Sequence, residues 1–341
     1  MTRCRASADH VLMDMAVEYY TQRASTPGTL LITEACIVHP KAGGFAHAPG
    51  IYNEEQIAAW KKVVDAVHAR GSYIVLQLWG VGRAASPELL AAEGGYDLVA
   101  ASPIPFSNSS NIPRALTIQE IKEYPDMFAS AARTAIYKAG FDGAEIHGAN
   151  GYLLDEFLQD VTNTREDEYG GSVENRCRFT LEVVGAVAAA VGQERTATRC
   201  SPFSPYLEMG MKDPYPTFTH LVTRLRDLYP SLMYLHFIEP RMDGSDDVFA
   251  AMTPEIGSAN DFARRIWAPR PFVSAGGFTR ETALHVAEKY GDVIVFGRHF
   301  VSNPDLVRRV KEGLPCNKYD RKTFYAPETP VGYIDYPFVQ A

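Results

Sequence analysis

Short apolar runs alternate along the chain with longer segments whose apolar residues recur at helical spacing. The runs lie at 29–35 (TLLITEA), 72–79 (SYIVLQLW), 142–147 (DGAEIH), 195–201 (RTATRCS), 232–239 (LMYLHFIE), 271–277 (PFVSAGG) and 292–297 (DVIVFG). Most are continuously apolar rather than alternating, as expected of parallel strands covered on both faces. Between them the spacing predicts helices. Asn53 is placed to cap one that begins EEQIAAWKKVV. Thr117 and Glu120 form a capping-box pattern before a segment that ends at Gly140, with Pro125 in its first turns or at a kink. Ser172 opens a helix that ends at Gly192. Further helices are expected near 215–228, 258–267, 279–289 and 303–312.

Strand followed by helix, repeated, means βαβ units and a parallel sheet. A closed (β/α)8 TIM barrel needs eight strands, and seven runs are present. The chain opens with a βα loop and helix (DHVLMDMAVEYYTQRAS) without a strand before it, so the expectation is a barrel whose first strand is missing. An open, doubly wound sheet of seven strands is the alternative. The whole of 1–341 reads as one barrel domain, with 319–341, rich in Tyr, Pro and Asp, packing irregularly against it.

Charge narrows the partners. The formal net charge is −8, and Lys and Arg are scattered, which argues against nucleic acid and anionic membrane. No apolar run reaches membrane-spanning length, and the opening residues contain no secretory h-region. The expectation is a cytoplasmic protein, monomeric or homodimeric, acting on a small molecule. The five cysteines are far apart and odd in number, and read as reduced thiols.

In a parallel barrel the chemistry collects where strands end. The run 142–147 ends in His147, and Asn150 follows three residues later; both can donate to one developing oxyanion. Tyr152 adds a phenol as proton donor. A structural histidine with a capping asparagine fits the same spacing. The polar stretch 163–179 reads as a glycine-hinged loop with a charged lid. Arg199 and Gln77 lie within strands. An inward Arg199 calls for an anion or electron-rich ring, an outward one for a helix partner. The runs ending in Gly276-Gly277 and Gly297-Arg298 have the composition of a barrel phosphate site, where backbone N–H groups approach without a Cβ between. A competing motif, GVGRAA at 80–85, fits a dinucleotide fingerprint, but Pro87 falls where its helix should run. No cluster has metal-ligand spacing, and no G-x-S-x-G elbow occurs.

At 147–179 (HGANGYLLDEFLQDVTNTREDEYGGSVENRCRF) the chain resembles the Old Yellow Enzyme family of flavin-dependent NADPH dehydrogenases, its fungal branch above all. VEYYTQRA, PGTLLITEA, AGGFAHAPGIY, LQLWGVGR, SANDF, AGGF, GRHFVSNPDLVRR and GLPCNKYDRKTFY follow in family order, so the resemblance covers nearly the whole chain. It implies FMN at the barrel mouth and NADPH as hydride donor. Gln77 and Arg199 would contact the ring or ribityl chain; Gly276, Gly277, Gly297 and Arg298 would hold the phosphate; Ala35 would sit beside the ring. His147 and Asn150 would grip the carbonyl oxygen of an enone or enal, Tyr152 would protonate Cα, and Trp79 and Tyr325 would line the substrate pocket. The family's first strand ends in a Pro-Leu-Thr-Arg-like motif, of which Met1-Thr2-Arg3 stands here, with Thr2 at the position that bonds a flavin carbonyl. The implied activity is reduction of the C=C bond of α,β-unsaturated aldehydes or ketones in secondary metabolism. The alternatives are a barrel impaired by the missing strand and a flavin-dependent isomerase.

Overall fold

A computed structural model describes residues 1–240, 242–243, 246–247 and 258–340. Each of the seven apolar runs forms a strand: β1 Leu30–Ile37, β2 Tyr73–Trp79, β3 Gly143–Gly148, β4 Thr196–Cys200, β5 Tyr234–Ile238, β6 Phe272–Ala275 and β7 Val293–Val295. All pair in parallel with their sequence neighbours, in the unbroken order β1 to β7. That order decides between the two architectures. A doubly wound sheet reverses its strand order at a switch point; a barrel never does. The sheet is a curled (β/α) barrel wall. Among the described residues no strand pairs with the outer edge of β1 or of β7.

Helices cover the outer face because each has an apolar stripe to bury and a residue to start it. The helix α1, Met15–Arg23, precedes β1. In α2, Glu54–His68, Asn53 caps the start by accepting from Gln56 N at 2.9 Å, and Ile57, Trp60, Val63, Val64 and Val67 are buried. Pro87 does not break a helix; it opens α3, Pro87–Gly94, capped by Ser86, because proline's missing N–H costs nothing in a first turn. The Thr117 capping box forms, but on the single turn of α4, Ile118–Ile121. Pro125 cannot continue that ladder, so a new helix α5, Tyr124–Thr134, begins around it and runs through a π turn to Gly140. After β3 come α6, Leu153–Leu158, and α7, Val173–Val191, the latter started by Ser172 and closed at Gly192. The later helices are α8 Tyr215–Leu228, α9 Asp261–Trp267, α10 Arg280–Tyr290, α11 Arg298–Ser302 and α12 Leu306–Glu312.

The main core lies between wall and helices, with a smaller one of Ala197, Tyr234 and Val273 inside the barrel. Among the described residues no helix is long and apolar enough to cross a membrane. All five cysteines are free, four buried and Cys316 exposed.

Candidate active site

Register builds the site in layers. Parallel partners point to the same face, so Ala35, Gln77, Glu145, Ala197 and Tyr234 form one level across β1 to β5. Two residues further along, His147, Arg199, His236 and Val273 form the next. These levels border a cavity of about 730 Å³. Its wall includes Gln77, Trp79, His147, Asn150, Tyr152 and Arg199 on one side, and Gly276, Gly277, Gly297 and Arg298 on the other; Thr2 and Tyr325 also line it. Of the thirteen residues proposed from sequence, only Ala35 does not reach it. Ala35 packs instead with Ile37, Ala48 and Trp79. Where the wall is open, the cavity passes between Leu30–Ile32 and Val293–Val295.

The donor group stands at the exit of β3. His147 is buried, and its Nδ1 accepts from Ala149 N at 3.4 Å, which assigns the ring proton to Nε2. Burial, reinforced by the Arg199 guanidinium, lowers the imidazole to about 3, so it is neutral at physiological pH. Asn150 takes a left-handed backbone, φ 56, held by its N–H to Ser201 Oγ at 2.7 Å. Gly151, φ 73, is required here because a Cβ would meet Leu207 Cβ at 2.7 Å. Tyr152 lies edge-on to Trp79 and His147, with ring centroids 4.8 and 5.3 Å apart. Burial, with Tyr206 and Tyr325 nearby, raises its phenol far above the ordinary value. Tyr152 is therefore a protonated donor at neutral pH, not a base.

Arg199 points inward. Its Nε is buried without a partner among the described residues, as are Trp79 Nε1 and His236 Nε2. Unpaired buried polar atoms of this kind call for a polar ligand. Across the cavity, Gly276 has φ +127 and its Cβ would meet Glu239 Cβ at 2.9 Å, so no other residue fits. A Cβ at Gly297 would meet nothing within 4 Å, so that backbone is bare toward open space. The Arg298 guanidinium is anchored by Tyr319 Oη at 3.3 Å.

Two sequence features fall outside the site. In GVGRAA, the Arg83 N–H donates to Glu156 Oε1 at 2.7 Å, and a Cβ at Gly82 would overlap that carboxylate. The glycine serves a buried carboxylate, not a phosphate. The stretch 163–179 is no lid. Arg165 pairs with Asp167 at 2.6 Å and donates to the carbonyls of Ala101 and Leu116, and Asn163 bonds the carbonyls of Phe157 and Tyr169. Arg165, Asp167 and Asn163 hold the loop down. Conversely, the cavity takes in Phe45, Tyr206, Tyr234 and His236, which sequence reading passed over. Tyr234 and His236 were within reach, because period-two spacing in 232–239 puts them on one face. No sequence pattern marked Phe45 or Tyr206.

Residues 1–317 match the NADH:flavin oxidoreductase / NADH oxidase family. The chain belongs to the Old Yellow Enzyme family. It is 51% identical over 342 residues to chanoclavine-I aldehyde reductase fgaOx3 of Penicillium roqueforti, covering 99% of this chain and 90% of that protein. It is 47% identical over 345 residues to a probable inactive reductase, easA, of Epichloe festucae var. lolii, again covering 99% and 90%. The Old Yellow Enzyme of Pichia sp. AKU4542 superposes with a TM-score of 0.90 at 36% identity, over 99% of this chain and 88% of that one. The cofactor of an Old Yellow Enzyme is FMN, with a nicotinamide as hydride donor. The site fits such a group: an unpaired inward Arg199, a Gln77 amide, and bare glycine backbone beside Arg298.

Proposed function

We propose that the protein is an FMN-dependent ene-reductase that uses NADPH to reduce the C=C bond of α,β-unsaturated aldehydes or ketones in fungal secondary metabolism. The observation that carries this reading is the triplet at the exit of β3: a neutral His147, Asn150, and a Tyr152 held protonated, all on one cavity wall. Gln77 and Arg199 would hold the flavin ring, with Thr2 beside it, and Gly276, Gly277, Gly297 and Arg298 the phosphate. When bound, FMN supplies the hydride, taken from NADPH and delivered to Cβ of the substrate. His147 Nε2–H and the Asn150 amide donate to the carbonyl oxygen, where negative charge grows in the transition state. The Tyr152 phenol gives its proton to Cα, completing net addition of H₂. Trp79, Tyr206 and Tyr325 would line the substrate pocket. The name of the Penicillium relative supports an aldehyde substrate.

A second reading is a barrel of the same family without reductase activity, favoured by the name of the Epichloe relative. The two separate in one experiment. A stoichiometric flavin spectrum with enone-dependent NADPH oxidation supports the enzyme; bound flavin without turnover supports the second. Y152F tests the role of the phenol. Stopped-flow should find flavin reduction by NADPH within about twofold of wild type and reoxidation by enone slowed by roughly 10² or more, the usual weight of a general acid. Equal loss in both half-reactions would remove Tyr152 from the proton step.

A further inference from the structure

Four polar side chains meet at the base of the cavity, and the chemistry above leaves two of them, Glu145 and His236, without a task. Glu145 precedes His147 by two residues on β3, so both face the barrel interior. Register sets Glu145 opposite Gln77, and His236 opposite Arg199. Each oxygen of the fully buried carboxylate has its own donor. Oε1 accepts from Gln77 Nε2 at 2.6 Å, and Oε2 from His236 Nδ1 at 2.7 Å. Burial opposes ionisation of Glu145, but His236, Arg199 and Gln77 outweigh it and hold the carboxyl well below its usual range. Burial also lowers the His236 imidazole, which is therefore neutral, with its proton on Nδ1.

These bonds decide what the cavity sees. A carboxylate accepts only, so the Gln77 amide must turn its NH₂ toward Glu145 and its carbonyl away. His236 likewise commits Nδ1–H to Glu145 and leaves Nε2 as an acceptor, buried and without a partner among the described residues. Both residues line the cavity. Their remaining acceptors suit an N–H of a heteroaromatic ring, while Arg199 supplies donors for a carbonyl.

We propose that Glu145, bridging Gln77 and His236 beside Arg199, is a positioning residue of the flavin site: it fixes the direction of both side chains and keeps a negative charge beside the bound ring. This rests on the FMN reading above. A carboxylate fixed there disfavours extra electron density on the ring, so it binds reduced flavin less well than oxidised.

Two variants separate reach from charge. E145D keeps the charge but retracts it by one methylene; E145Q keeps the length and removes the charge. Apoprotein of each is titrated with FMN by fluorescence quenching, and the holoprotein's two-electron midpoint potential is measured against reference dyes. E145D should bind FMN roughly tenfold or more weakly, as the loss of a charged hydrogen bond implies, with its midpoint near wild type. E145Q should raise the midpoint by about 30 mV, a tenfold gain in preference for reduced flavin. A merely structural role would weaken both redox forms equally and leave the potential in place. If E145Q does not fold, unaltered FMN binding by E145D overturns the proposal; if neither folds, Glu145 is a folding element and the proposal is overturned as well. Wild-type protein that binds no FMN overturns the functional reading and this inference with it. Wild type that binds FMN, beside variants with unchanged affinity and midpoint, overturns the positioning role alone.

Discussion

His147 and Tyr152 owe their assigned roles to environments that move their proton affinities in opposite directions. Burial and the Arg199 guanidinium keep the imidazole neutral down to about pH 3; burial and neighbouring tyrosines keep the phenol protonated well above its ordinary range. The consequence is a flat pH dependence. A histidine that titrated near its ordinary value would give kcat/KM for enone a limb around pH 6.5. With His147 lowered, the charged form is absent through the whole neutral range and is gained only as pH falls toward 3. The oxidative half-reaction should therefore vary less than about twofold between pH 5.5 and 8.5, followed by stopped-flow on pre-reduced protein. A limb near 6.5 that vanishes in H147N would place the imidazole's titration inside that range and undo the assignment. Neither shift is visible in the local sequence. His147-Gly-Ala-Asn150-Gly-Tyr152 carries the proposed groups, but the neutrality of the imidazole comes from burial and from Arg199, about fifty residues away in sequence and opposite His147 only by strand register.

The turn from β3 into α6 is held by carboxylates that a helical reading of LLDEFL would leave in solvent. Asp155 Oδ2 accepts from Gly151 N at 2.9 Å and lies 3.5 Å from Ser201 Oγ, the same hydroxyl that takes the Asn150 N–H. Glu156 accepts from Arg83 N at 2.7 Å and Ala101 N at 3.3 Å. Burial raises Asp155 from 3.8 to about 7 and Glu156 from 4.5 to about 8, outweighing those bonds. The sign follows directly: the folded protein keeps protons that the unfolded chain releases, so this contribution is fully present below about pH 4 and is lost as pH rises through 7 to 8. At about 1.4 kcal/mol per unit, each group is worth a few kcal/mol at most. Wild type should have a lower urea midpoint at pH 8 than at pH 5, and D155N, whose amide oxygen still accepts from Gly151, should flatten that slope. Parallel slopes would exclude Asp155 as the source. The helices themselves were largely legible, since Asn53, Thr117 and Ser172 announce their caps. What spacing could not reveal was where Pro125 divides one helix into two, or that Asp155 and Glu156 face inward, because burial of a polar residue is set by neighbours from other strands.

At the scale of the whole molecule, strand number follows from the apolar runs, because each parallel strand must be apolar on both faces to sit between barrel interior and helices; strand order does not, since a doubly wound sheet would use the same runs. The irregular segments follow from nothing periodic, yet they complete the cavity. Arg5 is fully buried and donates to the carbonyls of Thr323, Phe324, Thr329 and Val331 at 2.8 to 3.1 Å. Arg3 donates to Phe324 and Gly332, and both guanidiniums lie over the Tyr333 ring at about 5 Å. Two arginines thus do for 323–333 what a ladder does for a strand: they satisfy its backbone and fix its path. Tyr325, next to Phe324, is thereby held at the cavity wall. R5A leaves the carbonyls of Thr329 and Val331 to find water, while those of Thr323 and Phe324 keep Arg3 as a donor, at about 1–3 kcal/mol for each that stays buried and unpaired. Because the segment lies near the surface, most can be rehydrated, and a net loss of about 2–4 kcal/mol is expected. The signature is local. Amide exchange should quicken across 323–333 while α7 is unchanged, and the KM for enone should rise as Tyr325 loses its place. R5K, with three donors and no planar fork, should fall between R5A and wild type. Exchange in R5A that matches wild type across 323–333 would mean the segment is held by the stacking of its Tyr333 on Tyr19, and not by Arg5.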